Sequence, residues 1–146
     1  MSKILIMVGS KSDLPKLEKY LPVAEELGLS YEVKVASAHR DPVLVTSIVS
    51  NASKDGYKVI VAGAGLAAAL PGVVAAHTEL PVIGVPISAG ALNGLDALYA
   101  IVQMPPGVPV GSMGIDNFKN AFIYAAQMIA LSDDSVKTKL KELRNL

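Results

Sequence analysis

The chain has 146 residues, 51% of them hydrophobic, which is the size and apolar content of one domain built on one continuous core. Thirteen Lys and Arg balance thirteen Asp and Glu, so no net field is available to draw in a nucleic acid or an acidic membrane surface. Cysteine is absent, which excludes disulfides, thiolate metal sites and a cysteine nucleophile, a profile expected of a cytoplasmic protein.

Met1-Ser2-Lys3 leads directly into Ile4-Leu5-Ile6-Met7-Val8, an apolar run too short for a secretory signal and lacking a small-residue cleavage site. It reads as a first strand, over Lys3 to Val8. Further β-rich runs follow at Tyr31 to Ala36, Tyr57 to Ala62 and Val82 to Val85, with a weaker fifth at Val108 to Met113. Their continuous apolar character suits strands covered on both faces, as in a parallel sheet. Between them the spacing predicts helices near Leu14 to Leu27, Pro42 to Lys54, Leu66 to Thr78 and Leu95 to Met104. Asp13 before Leu14-Pro15 and Asp41 before Pro42 are start signals, and Gly28 and Gly56 are stops. The uncharged stretch from Val59 to Ala76 is as long as a membrane span, but Gly63, Gly65, Pro71 and Gly72 break it into strand, loop and buried helix. Two more helices are expected near Asn117 to Leu131 and Ser135 to Leu146. The last carries Val136, Leu140 and Leu143 on one face, a stripe suited to docking on a neighbouring subunit.

Strand and helix thus alternate, and right-handed crossovers demand an α/β fold: a three-layer open parallel sheet, flavodoxin-like or Rossmann-like, with an extra C-terminal helix at about 135–146. Residues 1–146 are expected to form a single α/β domain. Only 18% of residues are charged, below the roughly 25% of ordinary domains, which favours a homo-oligomer.

In such a sheet ligands bind beyond the carboxyl ends of the strands, at the point where strand order reverses. The loops there are distinctive: Gly9-Ser10-Lys11-Ser12-Asp13 after the first strand, Ser37-Ala38-His39-Arg40-Asp41 after the second and Gly63-Ala64-Gly65 after the third. Small residues let backbone amides approach an anion, serine hydroxyls donate to phosphate oxygens, and each loop feeds a helix N-terminus. Arg40 adds a bidentate donor. Taken singly, Ser10, Ser12 and Asp13 are equally consistent with turn and capping chemistry; their convergence with Arg40 describes a phosphate-ester pocket. His39 is the only imidazole in these loops, and an imidazole titrating near ~6.5 suits proton transfer. His77, late on an Ala-rich helix, reads as packing or surface, Met104 as core, and Gln103 as a residue facing a ligand or an intersubunit surface.

Two histidines without metal-like spacing argue against a transition-metal site. No Walker lysine follows a glycine-rich loop. Gly63-Ala64-Gly65-Leu66-Ala67-Ala68 fits G-x-G-x-x-A, but it follows the third strand, and the next strand ends in Val85-Pro86 with no ribose-binding acid.

Several blocks resemble one family, the catalytic subunit of phosphoribosylaminoimidazole carboxylase, whose bacterial form is N5-carboxyaminoimidazole ribonucleotide mutase. They are Gly9-Ser10-Lys11-Ser12-Asp13, Ser37-Ala38-His39-Arg40, Pro81-Val82-Ile83-Gly84-Val85-Pro86, Gly94-Leu95-Asp96-Ala97-Leu98 and the segment from Ile101 to Val110, spanning nearly the whole chain. The resemblance implies a mutase of de novo purine biosynthesis that moves a carboxylate from the exocyclic nitrogen of the ribonucleotide to a ring carbon, with carbon dioxide as intermediate. It implies that Ser10, Ser12, Asp13, Ser37 and Arg40 hold the ribose phosphate, that His39 moves the proton, and that Gly9, Gly63, Ala64, Gly65 and Leu70 complete the substrate site. No cofactor and no metal is implied, the partners being the ribonucleotide, carbon dioxide and seven further copies in a homo-octamer, with neither nucleic acid nor membrane.

The mutase pattern Gly-Ala-Gly-Gly-Ala-Ala-His-Leu-Pro-Gly is altered at Leu66, where it has glycine, and at Ala69, where it has histidine. The alternatives are therefore a carboxylase acting on aminoimidazole ribonucleotide with free carbon dioxide and a non-catalytic ribonucleotide-binding paralogue. A third, the synthase that carboxylates a nicotinate mononucleotide for a nickel-pincer cofactor, shares an Ile-Asp-Asn segment, here Ile115-Asp116-Asn117, but carries an additional N-terminal region.

Overall fold

The computed structural model describes residues 3–146, so Met1 and Ser2 lie outside it. Five parallel strands, β1 (Lys3–Val8), β2 (Ser30–Val35), β3 (Tyr57–Gly65), β4 (Val82–Ile87) and β5 (Gly111–Ser112), form one sheet in the order β2-β1-β3-β4-β5. The chain reverses its direction of growth at β1, which is flanked by β2 on one side and β3 on the other. Alternation along β1 divides the core into two layers. Ile4, Ile6 and Val8 pack toward helices α1 (Leu14–Glu18), α2 (Leu21–Glu26), α6 (Phe118–Ile129) and α7 (Asp134–Arg144). Leu5 and Met7 face α3 (Pro42–Asn51), α4 (Leu70–Ala76) and α5 (Leu95–Val102) on the other side. This is the three-layer α/β arrangement expected. No helix among the described residues is long and apolar enough to cross a membrane.

Four elements differ from expectation, each for a local reason. The helix expected over Leu14 to Leu27 is two helices, broken at Lys19-Tyr20. Pro22 lacks an N–H and its ring excludes the carbonyl four residues back, so it sits in the first turn of a new helix rather than inside an old one. The second half then ends as the glycine stop predicts. Gly28 takes φ +72°, and the Gly28 and Leu29 amides donate to the carbonyls of Glu25 and Ala24 at 2.9 and 3.0 Å, the paired bonds of a Schellman cap. The fifth strand contracts to Gly111–Ser112. Pro86 accepts from the Asp116 amide on the β5 side and has no N–H to offer there, so the ladder ends with Gly84 paired to Ser112.

The helix expected from Leu66 starts at Leu70, because β3 runs on through Gly65 and Leu66 turns the chain at φ +53°. The apolar stripe of α7 also departs from expectation. Val136 and Leu140 are buried and Leu143 partly so, all within this chain's own core rather than presented to a neighbour.

Candidate functional site

The carboxyl ends of β1, β2, β3 and β4 open onto a cavity of about 550 Å³, within the usual range of small-molecule sites. It lies at the reversal of strand order, between the loops that follow β1 and β3. Gly9, Ser10, Ser12 and Asp13 come from the first loop, Ser37, His39 and Arg40 from the second, and Ala64, Gly65 and Leu70 from the third. Of the residues expected at the site, Gly63 alone is not brought there. Its place inside β3 is fixed by packing, since a Cβ at this position would come within 2.6 Å of the buried Phe118 ring.

Polar groups occupy one side of the cavity. The Ser10 hydroxyl accepts from the Ser12 amide at 3.3 Å and lies 2.9 Å from the Ser12 hydroxyl, capping a short 3₁₀ turn over Lys11–Asp13. Ser37 Oγ accepts from the Arg40 amide at 3.1 Å and from Arg40 Nε at 3.4 Å, while Arg40 Nη2 donates to the Gly9 carbonyl at 3.4 Å. These bonds tie the second loop to the first and hold the guanidinium over the cavity with its remaining donors unused. Asp41 caps α3 through the Leu44 amide at 3.2 Å, which fixes the far end of the same loop. His39 is exposed at the rim.

Burial pushes the Asp13 carboxyl above its usual range. The Ser10 amide and the positive charges of Lys16 and Arg40 act against that rise, and Asp116 adds to it.

The opposite wall is apolar and almost side-chain-free: Ala64, Ala67, Ala68, Ala69 and Ala89. Ala38, Leu66, Ala67, Ala68 and Ala89 line the cavity beyond the residues expected there, and Ala69 lines it where the mutase pattern has histidine. Alanine carries no chemical signature, but Ala89 follows the fourth strand and the strand-end rule reaches it. His77 lies outside the cavity, exposed, with its Nδ1 2.8 Å from the Val73 carbonyl at the end of α4. Among the described residues no group of three or more His, Asp or Glu is placed to hold a metal ion.

Leu66 is the unusual member of this wall. Among the described residues, four non-glycine residues adopt positive φ, and the other three are Asn93, Asp116 and Asn145, types that tolerate it. Leu66 is also 55% exposed, so burial gives little in return. Leu66→Gly relieves roughly 1–2 kcal/mol of left-handed strain and adds roughly 0.5–1 kcal/mol of glycine backbone entropy. The expected net result is a gain of about 0.5 kcal/mol and a Tm higher by about 1–2 °C. A lower Tm on calorimetry would show that the packing of the Leu66 side chain outweighs the strain.

Comparison with known proteins gives one consistent result. The family described as AIR carboxylase matches residues 3–146. N5-carboxyaminoimidazole ribonucleotide mutase from Pyrococcus abyssi is 50% identical over 144 residues, covering 99% of this chain and 83% of that protein. The mutase of Methanocaldococcus jannaschii is 52% identical over 141 residues, covering 97% and 87%. The crystal structure of Treponema denticola PurE superimposes with a TM-score of 0.90 at 26% identity, covering 99% of this chain and 90% of that one.

Proposed function

The chain belongs to the AIR carboxylase family, and from that premise we propose that it is an N5-carboxyaminoimidazole ribonucleotide mutase, an isomerase of purine biosynthesis. The observation that carries the reading is the convergence of Ser10, Ser12, Ser37, Arg40 and His39 on one cavity whose other wall is alanine. The hydroxyls, the Arg40 guanidinium and the amides of the first loop take the ribose phosphate. Asp13, expected among the residues that hold the phosphate, is an acid whose charge a phosphate repels, so its role in this reading is instead to accept from a ribose hydroxyl. As the carboxylate leaves the exocyclic nitrogen as carbon dioxide, the nitrogen takes a proton from His39, and the carbon dioxide rests against the alanine wall. The ring carbon then forms the new C–C bond and returns its proton to His39. Bonds and charge balance without a cofactor.

Direct carboxylation of aminoimidazole ribonucleotide by free carbon dioxide is the second reading, favoured by Ala69, which leaves the wall without the histidine of the mutase pattern. The two are separated by giving the protein the N-carboxylated ribonucleotide and, separately, aminoimidazole ribonucleotide with bicarbonate, and following the C-carboxylated product. Faster turnover of the first substrate at millimolar bicarbonate is expected; turnover of the second alone would replace the mutase by the carboxylase. In the assembly we propose a homo-octamer in the cytoplasm, with contact through α5, where Leu95, Tyr99 and Val102 form an exposed stripe at helical spacing.

A further inference from the structure

Beside the cavity, and outside the residues assigned above, three side chains from distant parts of the chain meet. Lys16 on α1 donates through Nζ to the Ser88 carbonyl at 2.7 Å, to Ser88 Oγ at 2.6 Å and to Asp116 at 3.3 Å. A lysine ammonium has three N–H donors, and these contacts use all of them. Asp116 accepts in turn from the Ser88 amide at 2.8 Å and from the Ser88 hydroxyl. Its own amide donates to the Pro86 carbonyl at 2.7 Å, and φ +60° turns its carboxylate back toward Ser88. Ser88 is the first residue past β4, so its N–H and its carbonyl are held by side chains rather than by a neighbouring strand.

Both ends of this cluster adjoin the cavity. Ala89, next in the chain after Ser88, lines it, so close to Gly65 that a Cβ there would come within 3.4 Å of Ala89 Cβ. Among the described residues the turn that follows has only local backbone bonds, such as Asn93 to Gly90 at 3.4 Å and Leu95 to Leu92 at 3.0 Å. Ser88 is therefore where this part of the wall is fixed. Lys16, one turn into α1 after the cavity residue Asp13, ties that point to the loop carrying Ser10 and Ser12.

We propose that Lys16 is a positioning residue for carboxyl transfer: with Asp116 it clamps Ser88 to α1, which holds the Ala89 side of the wall against the phosphate-binding loop and keeps released carbon dioxide at the ring carbon. The proposal rests on the mutase reading above. Carbon dioxide carries no charge, and alanine side chains offer it no hydrogen bond, so the shape of the cavity is what retains it. Two fates compete once the nitrogen–carbon bond breaks and the nitrogen takes its proton from His39. In one, the ring carbon bonds to the carbon dioxide and returns a proton to His39. In the other, the carbon dioxide escapes, aminoimidazole ribonucleotide remains, and His39 regains its proton from water. A wall that is free to move away from the ring favours the second.

The test supplies N-carboxylated ribonucleotide, isotopically labelled in its carboxylate, in excess unlabelled bicarbonate to the wild type, Lys16→Met, Lys16→Arg and Asp116→Asn. It follows labelled C-carboxylated product against aminoimidazole ribonucleotide, after subtraction of spontaneous breakdown. The wild type is expected to keep the label in its product. Lys16→Met is expected to lower the ratio of labelled product to aminoimidazole ribonucleotide about tenfold, part of the roughly 100-fold that a misplacement of about 1 Å costs. Lys16→Arg, which keeps the charge and several donors, restores most of the ratio. Asp116→Asn, a type that tolerates the left-handed backbone, lowers it in the same direction and keeps the proposal testable should Lys16→Met not fold. A merely structural role would reduce Tm or affinity and leave the ratio unchanged. That result, or a wild type that turns over but loses its label, overturns the proposal, whereas a wild type that converts none of the N-carboxylated substrate overturns the mutase reading beneath it.

Discussion

His39→Asn is expected to lower turnover of the N-carboxylated ribonucleotide by about 100-fold to 10,000-fold while leaving its affinity nearly unchanged. Carboxyl transfer to a ring carbon requires that carbon to lose a proton, and His39 is the one imidazole lining the cavity. Asn keeps similar volume and hydrogen-bonding capacity but does not titrate. The side chain makes no bond that secures the surrounding loop, whose anchors are Ser37, Arg40 and Asp41. Loss of rate without loss of binding therefore separates proton transfer from substrate holding. Steady-state kinetics with direct binding measurements decides it: equal losses in both would make His39 a holding residue, and wild-type turnover would bring the binding-paralogue reading forward.

Arg40→Ala carries the second large effect, on binding. The guanidinium already spends donors on Gly9 and Ser37, both at 3.4 Å, so those long bonds set its position and leave its other edge for the phosphate proposed to bind there. Removing a charge-assisted bond of this kind is worth roughly 1.5–3 kcal/mol, which is about 10- to 150-fold in Kd. The nucleoside lacking the phosphate should bind wild type and variant alike. Calorimetric titration with nucleotide and nucleoside checks both statements, and equal affinity of the wild type for the two ligands would show that the cavity holds no phosphate ester.

The outline of this site is legible in the chain because chemistry and topology coincide at three loops. Each apolar run ends in a small, polar cluster, and in a parallel sheet such clusters gather at one edge. Ser10, Ser12, Asp13, Ser37, His39 and Arg40 follow from that alone. The alanine wall does not, since Ala67 or Ala89 is defined only by what it lets a ligand approach. Gly63 shows the converse: its spacing with Gly65 suggests anion binding, but the residue makes room for Phe118, which lies 55 positions further on. The contacts of Lys16 with Ser88 and Asp116, 72 and 100 positions further on, are brought together only by the fold, and the Ile115-Asp116-Asn117 segment gives no hint of them. The break between α1 and α2 departs from the single helix expected over Leu14 to Leu27, because the meaning of Pro22 depends on whether it opens a helix or interrupts one.

Strand order also has a consequence for the chain during synthesis. β1 is made first yet occupies the interior of the sheet, and its second neighbour, β3, begins only at Tyr57. Until that point Ile4 to Val8, all fully buried in the finished protein, line an open sheet edge on a nascent chain. Pairing across such a sequence gap is slow compared with forming a hairpin. The sheet can nevertheless grow outward from β1 without dismantling a pair already made, because each later strand adds to a free edge. That exposed interval is when the half-made chain is most prone to aggregate, a hazard set by topology rather than by any property of the completed cavity.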